Sequence, residues 1–274
     1  MSLTESITLI TIIINQSSHS IQPFKHHTTN MAPFPSPTST WHDNTYPTLS
    51  PNRPELSAKG KTIIITGGGT GIGAETARHF AQAGAARIGL IGRREQPLLD
   101  TQSSIQQQYP GIEIIIASTD VTKKTEVDAA FAKIVGDGKL HVVVSNAASM
   151  GPREGIKDVN GEELLEGVQM NLSGALWVAQ AFLRYAVADA VAINVSSSAA
   201  HISFGDVFAS YSVAKLAAYR LWDIVGLKHP EMSVFHIQPG VVNTDINKEA
   251  GGVAALGFED HGKCILSFYS TWDY

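Results

Sequence analysis

Lys61-Thr62-Ile63-Ile64-Ile65-Thr66-Gly67-Gly68-Gly69-Thr70-Gly71-Ile72-Gly73 decides how the rest of this chain is read. Thr62–Thr66 is a short apolar run with strand composition, and a glycine-rich turn follows it directly. Ile72–Ala83 then carries Ile72, Thr76, Phe80 and Ala83 on one helical face. Glycines in such a turn permit positive φ and let a ligand approach the backbone. The N-terminus of the next helix offers unpaired N–H groups and a partial positive charge. The stretch therefore reads as a cradle for the diphosphate of a dinucleotide, built by Gly67, Thr70, Gly71, Ile72 and Gly73. Its spacing, Gly67-x-x-x-Gly71-x-Gly73, is not G-x-G-x-x-G, and no Gly-Lys-Ser/Thr follows, so it is not a P-loop. An ordinary glycine turn between strand and helix has the same composition, so the rest of the chain must decide.

Outward from this turn, apolar strands alternate with helical patterns. The strands expected are Arg87–Ile91, Glu113–Thr119, His141–Ser145, Ala190–Ser196 and Ser233–Gln238. Between them fall helices over Gln96–Tyr109, Lys124–Val135, Gly161–Val187 and Phe208–Val225. Strands apolar on both faces, separated by helices, imply a parallel sheet covered on each side. Right-handed crossovers then give a single α/β, Rossmann-like, doubly wound sheet. No internal repeat is evident beyond the alternation.

The chain has 274 residues, 43% of them hydrophobic, enough for one large domain with a substantial core. Its net charge of −5 and scattered basic residues exclude an obvious nucleic-acid partner. With one cysteine, Cys264, no intrachain disulfide can form, which fits a reducing, cytoplasmic setting. No Cys/His cluster has metal-ligand spacing. Residues 1–54 read as a disordered extension rich in Ser, Thr, Pro, His and Asn, with Met31 as an alternative start. Ile7–Ile14 is too short to span a bilayer, which takes roughly 20 apolar residues, so no membrane partner is expected. The domain proper is expected over residues 55–261, and 262–274 reads as an atypical tail.

Two further places carry chemistry. The second strand ends Leu90-Ile91-Gly92-Arg93-Arg94. Dinucleotide folds read the adenosine ribose here, with an acid for NAD or an arginine for NADP. The position expected to be acidic is Gly92, and two guanidiniums follow it. Guanidinium matches phosphate bidentately, so Arg93 and Arg94 point to NADP over NAD. Two solvated arginines at a helix start are the plain alternative. Downstream, Ser196-Ser197-Ser198 closes the fifth strand at its carboxyl end, where doubly wound sheets bind ligands. Tyr211-Ser212-Val213-Ala214-Lys215 puts a phenol and an ammonium one helical turn apart. A free phenol has pKa about 10. An ammonium about 4 Å away contributes about 4 kcal/mol at an effective dielectric of 20. That lowers the phenol by up to roughly three units. The plain alternative is a packed tyrosine beside a solvated lysine.

Taken together, these motifs resemble the short-chain dehydrogenase/reductase family, in its NADP-preferring form and most closely its fungal members. Thr66–Gly73 resembles T-G-x-x-x-G-x-G. Asp120-Val121 resembles the pair that contacts adenine. Ser145-Asn146-Ala147-Ala148 is similar to N-N-A-G, departing at Ser145 and Ala148. Asn171 resembles the asparagine of the long helix, and Val195-Ser196-Ser197 the strand ending in the active serine. Tyr211–Lys215 resembles Y-x-x-x-K. Pro239-Gly240-Val241-Val242-Asn243-Thr244 resembles P-G-x-x-x-T, the segment around the nicotinamide amide.

The resemblance implies Tyr211 as acid/base and Lys215 as the group that lowers its pKa and holds the nicotinamide ribose. Ser197 would bind the substrate oxygen, with Ser198 a live alternative. Asn171 would anchor a water leading protons toward Lys215. The cofactor contacts implied are Asp120, Val121, Asn146, Ala147, Ala148, Pro239, Gly240, Val242 and Thr244, besides the glycine turn and the arginines. The implied reaction interconverts a small carbonyl compound and its alcohol, in a homodimer or homotetramer paired through the two long helices. The resemblance fails after Pro239, where the family's lid, helix and seventh strand have little room. A sheet without its usual seventh strand is therefore expected, although Cys264–Tyr269 could form a short edge strand. A dinucleotide-binding regulator without turnover, or an inactive truncated member, is the competing reading.

Overall fold

The computed structural model describes residues 50–202, 205–240, 242, 244–246 and 267–269. The expected extension falls outside the described residues up to 49. Pro51 is buried and Leu56 joins the core, both near the boundary expected at residue 55.

In chain order the main elements are β1 (Thr62–Thr66), α1 (Gly71–Gln82), β2 (Arg87–Gly92), α2 (Glu95–Gln108), β3 (Glu113–Ser118) and α3 (Lys124–Val135). There follow β4 (Leu140–Ser145), α4 (Gly161–Tyr185), β5 (Ala186–Val195), α5 (Ala209–Lys228), β6 (Ser233–Gln238) and β7 (Ser267–Tyr269). The strands form one sheet in the order β3-β2-β1-β4-β5-β6-β7. The first six are parallel, with Ile64 opposite Gly89 on one side and Val143 on the other. The order reverses between β1 and β4, which opens a crevice at the carboxyl ends of those two strands. At the far edge, β7 pairs antiparallel with β6 over three residues. The place of a long seventh strand is thus taken by the short edge strand that the tail's composition allowed.

Alternation along the strands splits the core into two layers. Ile63, Ile65, Ile88, Leu90, Val142, Val144 and Ile193 pack under α1 and α2, with Phe80 and Leu98. Ile64, Ile91, Val143, Ala190 and Ala192 pack under α3, α4 and α5, with Phe131, Phe182 and Trp222. Both faces of each central strand are buried, as a parallel sheet requires.

One boundary differs from the sequence expectation. The long helix stops at Tyr185, not Val187, and β5 begins at once at Ala186, not at Ala190. Leu140 pairs with Ala186, and the register then shifts before Val142 meets Val191. The Ala186–Val191 stretch, alanine and valine apart from Asp189, suits helix and strand alike. Pairing with β4 decides it.

Candidate active site

Thr66 fastens the two strands that flank the crevice. Its buried hydroxyl donates to the Val144 carbonyl at 3.3 Å and accepts from the Asn146 and Ala147 N–H groups at 2.9 and 3.0 Å. The Asn146 amide returns a bond to the Thr66 carbonyl at 2.8 Å. Asn146 and Ala147, expected at the cofactor, are thereby fixed beside the glycine turn, and Ala148 is exposed next to them. The threonine's part was not read from sequence. A threonine between an apolar run and a glycine turn carries no signal of a partner nearly eighty residues on.

Within the turn, Gly67 has φ +68° and Gly71 has φ +52°. Thr70 precedes α1 without a side-chain cap, and no acid lies in the helix's first turn. The helix end is therefore open to an anion. Gly73 sets how tightly helix and turn meet. A Cβ there would lie 2.2 Å from the Gly67 carbonyl oxygen and 2.8 Å from Asn146 Nδ2. Gly73→Ala is expected to cost about 1–3 kcal/mol of stability by overpacking. Gly111→Ala, with nothing within 4 Å, is the control. Equal urea midpoints for the two variants would contradict this account of the cradle.

At the adenosine end, Gly92 closes β2 and leaves no acid, and Arg93 is exposed beside it. Arg94 is engaged elsewhere, since its guanidinium pairs with Asp245 at 3.4 Å. Asp120 and Val121, expected at the adenine, lie in the turn after β3. The Asp120 carboxylate accepts from the Thr122 N–H and hydroxyl at 3.0 and 2.8 Å, and these bonds hold it below the usual carboxylate range. Val121 packs against Gly174 of α4. Both residues therefore shape the turn after β3.

At the reacting end, Ser197 follows β5 and caps a short 3-10 turn by accepting from the Ala199 N–H at 3.2 Å. Its hydroxyl is also hydrogen-bonded with the Tyr211 phenol. Capping and phenol contact thus meet in one residue. Lys215 is buried and donates to the Val195 carbonyl at 2.7 Å, with its Nζ 5.6 Å from the Tyr211 ring centroid. Asn171 on α4 donates to the carbonyls of Ser149 and Gly167 at 3.0 and 2.9 Å and accepts from the Ser149 N–H at 3.0 Å. Both its N–H groups are engaged, so this side chain staples the loop after β4 to α4. Only a remaining lone pair of Oδ1 is left for a water. Pro239, Gly240, Val242 and Thr244 follow β6 at the same edge. Val242 is buried, and the Thr244 hydroxyl donates to the Val242 carbonyl at 3.3 Å. Val241 and Asn243 lie outside the described residues.

The electrostatics correct one expectation. Lys215 was expected to lower the Tyr211 pKa. Instead, burial pushes the phenol up to about 12, opposed by the Ser197 hydrogen bond. Burial also brings the ammonium down to about 8. The sequence argument placed the charge in a polar medium about 4 Å from the phenol oxygen. The fold places it in a desolvated pocket where it donates a hydrogen bond to a backbone carbonyl. Desolvation disfavours the charged form of each group.

Among the described residues, no group of His, Cys, Asp and Glu could hold a metal, and no helix is long and apolar enough to cross a membrane. The donor set fits a dinucleotide, with an uncapped helix N-terminus, positive-φ glycines and no acid in the helix's first turn.

Comparison with known proteins places this geometry. The family model described as short chain dehydrogenase matches residues 61–252. A short chain dehydrogenase/reductase of Claviceps purpurea is 28% identical over 242 residues, covering 87% of this chain and 80% of its own. Sorbose reductase of Schizosaccharomyces pombe is 29% identical over 197 residues, covering 70% of this chain and 76% of its own. An alcohol dehydrogenase from the archaeon Thermococcus sibiricus, solved with 5-hydroxy-NADP, superposes with a TM-score of 0.63 at 27% identity. It covers 68% of this chain and 78% of that one. The chain belongs to the short-chain dehydrogenase/reductase family. That makes it an NAD(P)-binding oxidoreductase acting on CH–OH groups.

Proposed function

We propose that this protein is an NADP(H)-dependent reductase that interconverts a small carbonyl compound and its alcohol, with Tyr211 as acid/base. The observation that carries the reading is the Tyr211 phenol bonded with Ser197, one turn before a buried Lys215, at the same sheet edge as the open glycine turn. A bound dinucleotide supplies the hydride. Gly67, Thr70, Gly71, Ile72 and Gly73 hold its diphosphate, and Arg93 holds the 2′-phosphate. Asn146, Ala147, Pro239, Gly240, Val242 and Thr244 line the nicotinamide side. Ser197 and Tyr211 bind the carbonyl oxygen, and Tyr211 gives it the proton that completes the alcohol. Lys215 then returns a proton to the phenolate and holds the ribose. The resting phenol is protonated at neutral pH, which favours reduction. The single cysteine suits a cytoplasmic setting.

The test is turnover of small ketones and alcohols, followed at the reduced-nicotinamide absorbance band. Well-folded, cofactor-saturated protein that turns over none of them would leave the regulator reading instead.

Cofactor choice rests on Arg93. Arg93→Ala is expected to weaken NADPH binding by about 1.5–3 kcal/mol, the loss of a charged hydrogen bond, and to spare NADH. Equal affinity of the unmutated protein for both would refute the NADP assignment.

A homodimer or homotetramer belongs to the same proposal. The outer face of α5 exposes Val213, Leu216, Ile224 and Leu227 at 49–70% of their surface, at spacings of one helical face. Burying that stripe against a second copy removes it from water. Sedimentation as a monomer at micromolar concentration would remove this part of the proposal.

A further inference from the structure

Arg94 and Asp245 meet although their parent strands are far apart. Arg94 lies two residues beyond the end of β2, and Asp245 seven beyond the end of β6. In the sheet, β2 and β6 are separated by β1, β4 and β5. At about 4.8 Å per strand that is roughly 19 Å of sheet edge. Asp245 therefore lies well away from the end of its own strand, within 3.4 Å of Arg94. A second contact fixes its place. The Thr244 methyl lies 2.9 Å from where a Cβ on Gly71 would sit, at the first residue of α1. Thr244 thus rests on the glycine turn, and Asp245 reaches beyond it to the adenosine side.

We propose that Arg94 and Asp245 form a clasp that holds Thr244 and Asp245 at the mouth of the dinucleotide cradle, so that cofactor release requires the pair to open. The inference rests on the dinucleotide reading of the glycine turn, and it assigns Arg94 a task other than 2′-phosphate recognition. Both side chains are largely exposed, at 67% and 48%, so the pair is weak, screened by salt and able to open quickly. A weak pair suits a closure that must open in each catalytic cycle. Arg94 and Asp245 are positioning residues: they act by holding a segment, not by touching reacting atoms.

The test uses NADH, which has no 2′-phosphate for Arg94 to bind, and the full chain. Its release rate is read by stopped-flow fluorescence, and its association rate separately. Asp245→Asn and Arg94→Gln are each expected to speed NADH release about two- to fivefold, the range for one exposed ion pair. The double variant should be no faster than either single one, and the charge-swapped pair Arg94→Asp/Asp245→Arg should recover slow release. Raising salt should speed release from the unmutated protein and leave the Asp245→Asn protein unchanged. Unchanged release in both single variants, or additive effects in the double, would overturn the clasp while leaving the nucleotide site standing. If the unmutated protein binds neither NADH nor NADPH, the site reading falls and the clasp with it.

Discussion

Tyr211→Phe is expected to lower carbonyl reduction by at least about 10²-fold, the low end for loss of a general acid, while cofactor affinity stays nearly unchanged. The substitution keeps the ring that Lys215 sits over and removes only the hydroxyl bonded with Ser197. Rate and affinity should therefore separate. Lys215→Met should damage both, since one ammonium serves the phenol and the ribose, and it also leaves the Val195 carbonyl without its donor. The pH profile carries a second sign. The phenol, pushed up to about 12, stays protonated across the working range, whereas the ammonium, brought down to about 8, does not. The kcat/KM for reduction should therefore fall as pH rises through about 8, because the Lys215 charge is lost there. A Tyr211→Phe protein that kept most of its activity would remove the acid assignment. A profile flat from pH 7 to 10 would remove the lysine's part in it.

The second large effect is acid lability centred on His236. This β6 residue is 2% exposed beneath α5, and its ring stacks on Tyr219 at 4.0 Å. The Asn194 amide donates to its Nδ1 at 3.1 Å, which leaves the ring proton on Nε2, where no partner receives it. Protonation would put an N–H against the amide N–H and bury a charge. Burial, with His201 adding to it, accordingly pushes His236 down to about 4. Its unfolded value is about 6.5. Between the two the unfolded chain binds more protons, so stability is full above about pH 6.5 and lost as pH falls toward 4. The loss approaches about 3 kcal/mol at 1.36 kcal/mol per unit, a large part of the 5–15 kcal/mol that holds a domain together. His79, also lowered by burial, works in the same direction. Urea unfolding at pH 7.5 and 4.5 should show this slope, and His236→Gln should flatten it. Parallel profiles for the two proteins would place the acid sensitivity elsewhere.

The sequence by itself determined the α/β alternation, the doubly wound sheet and the order of the motifs. Those depend on local facts: apolar runs of strand length, helical periodicity, and glycines where the chain must turn. It also determined the chemistry available, because a phenol and an ammonium four residues apart on a helix share a face wherever that helix lies. What it could not determine depends on distant partners. Ala186–Val191 is apolar enough for helix or strand, and β4 decides which. Lys215 reads as a charge that should acidify Tyr211. The fold instead buries both and turns the ammonium's hydrogen bond to the Val195 carbonyl, so burial, which no spacing encodes, pushes the phenol up rather than down. Asp120 and Val121 match a motif, and only the fold shows that Asp120 also bonds its own turn and that Val121 packs on Gly174. Arg94 reads as a phosphate ligand, and only the fold brings Asp245, 151 positions away, beside it. In each case the residue's identity was plain. Its role depended on which atoms the fold placed within 3–4 Å and on how much water it removed around them.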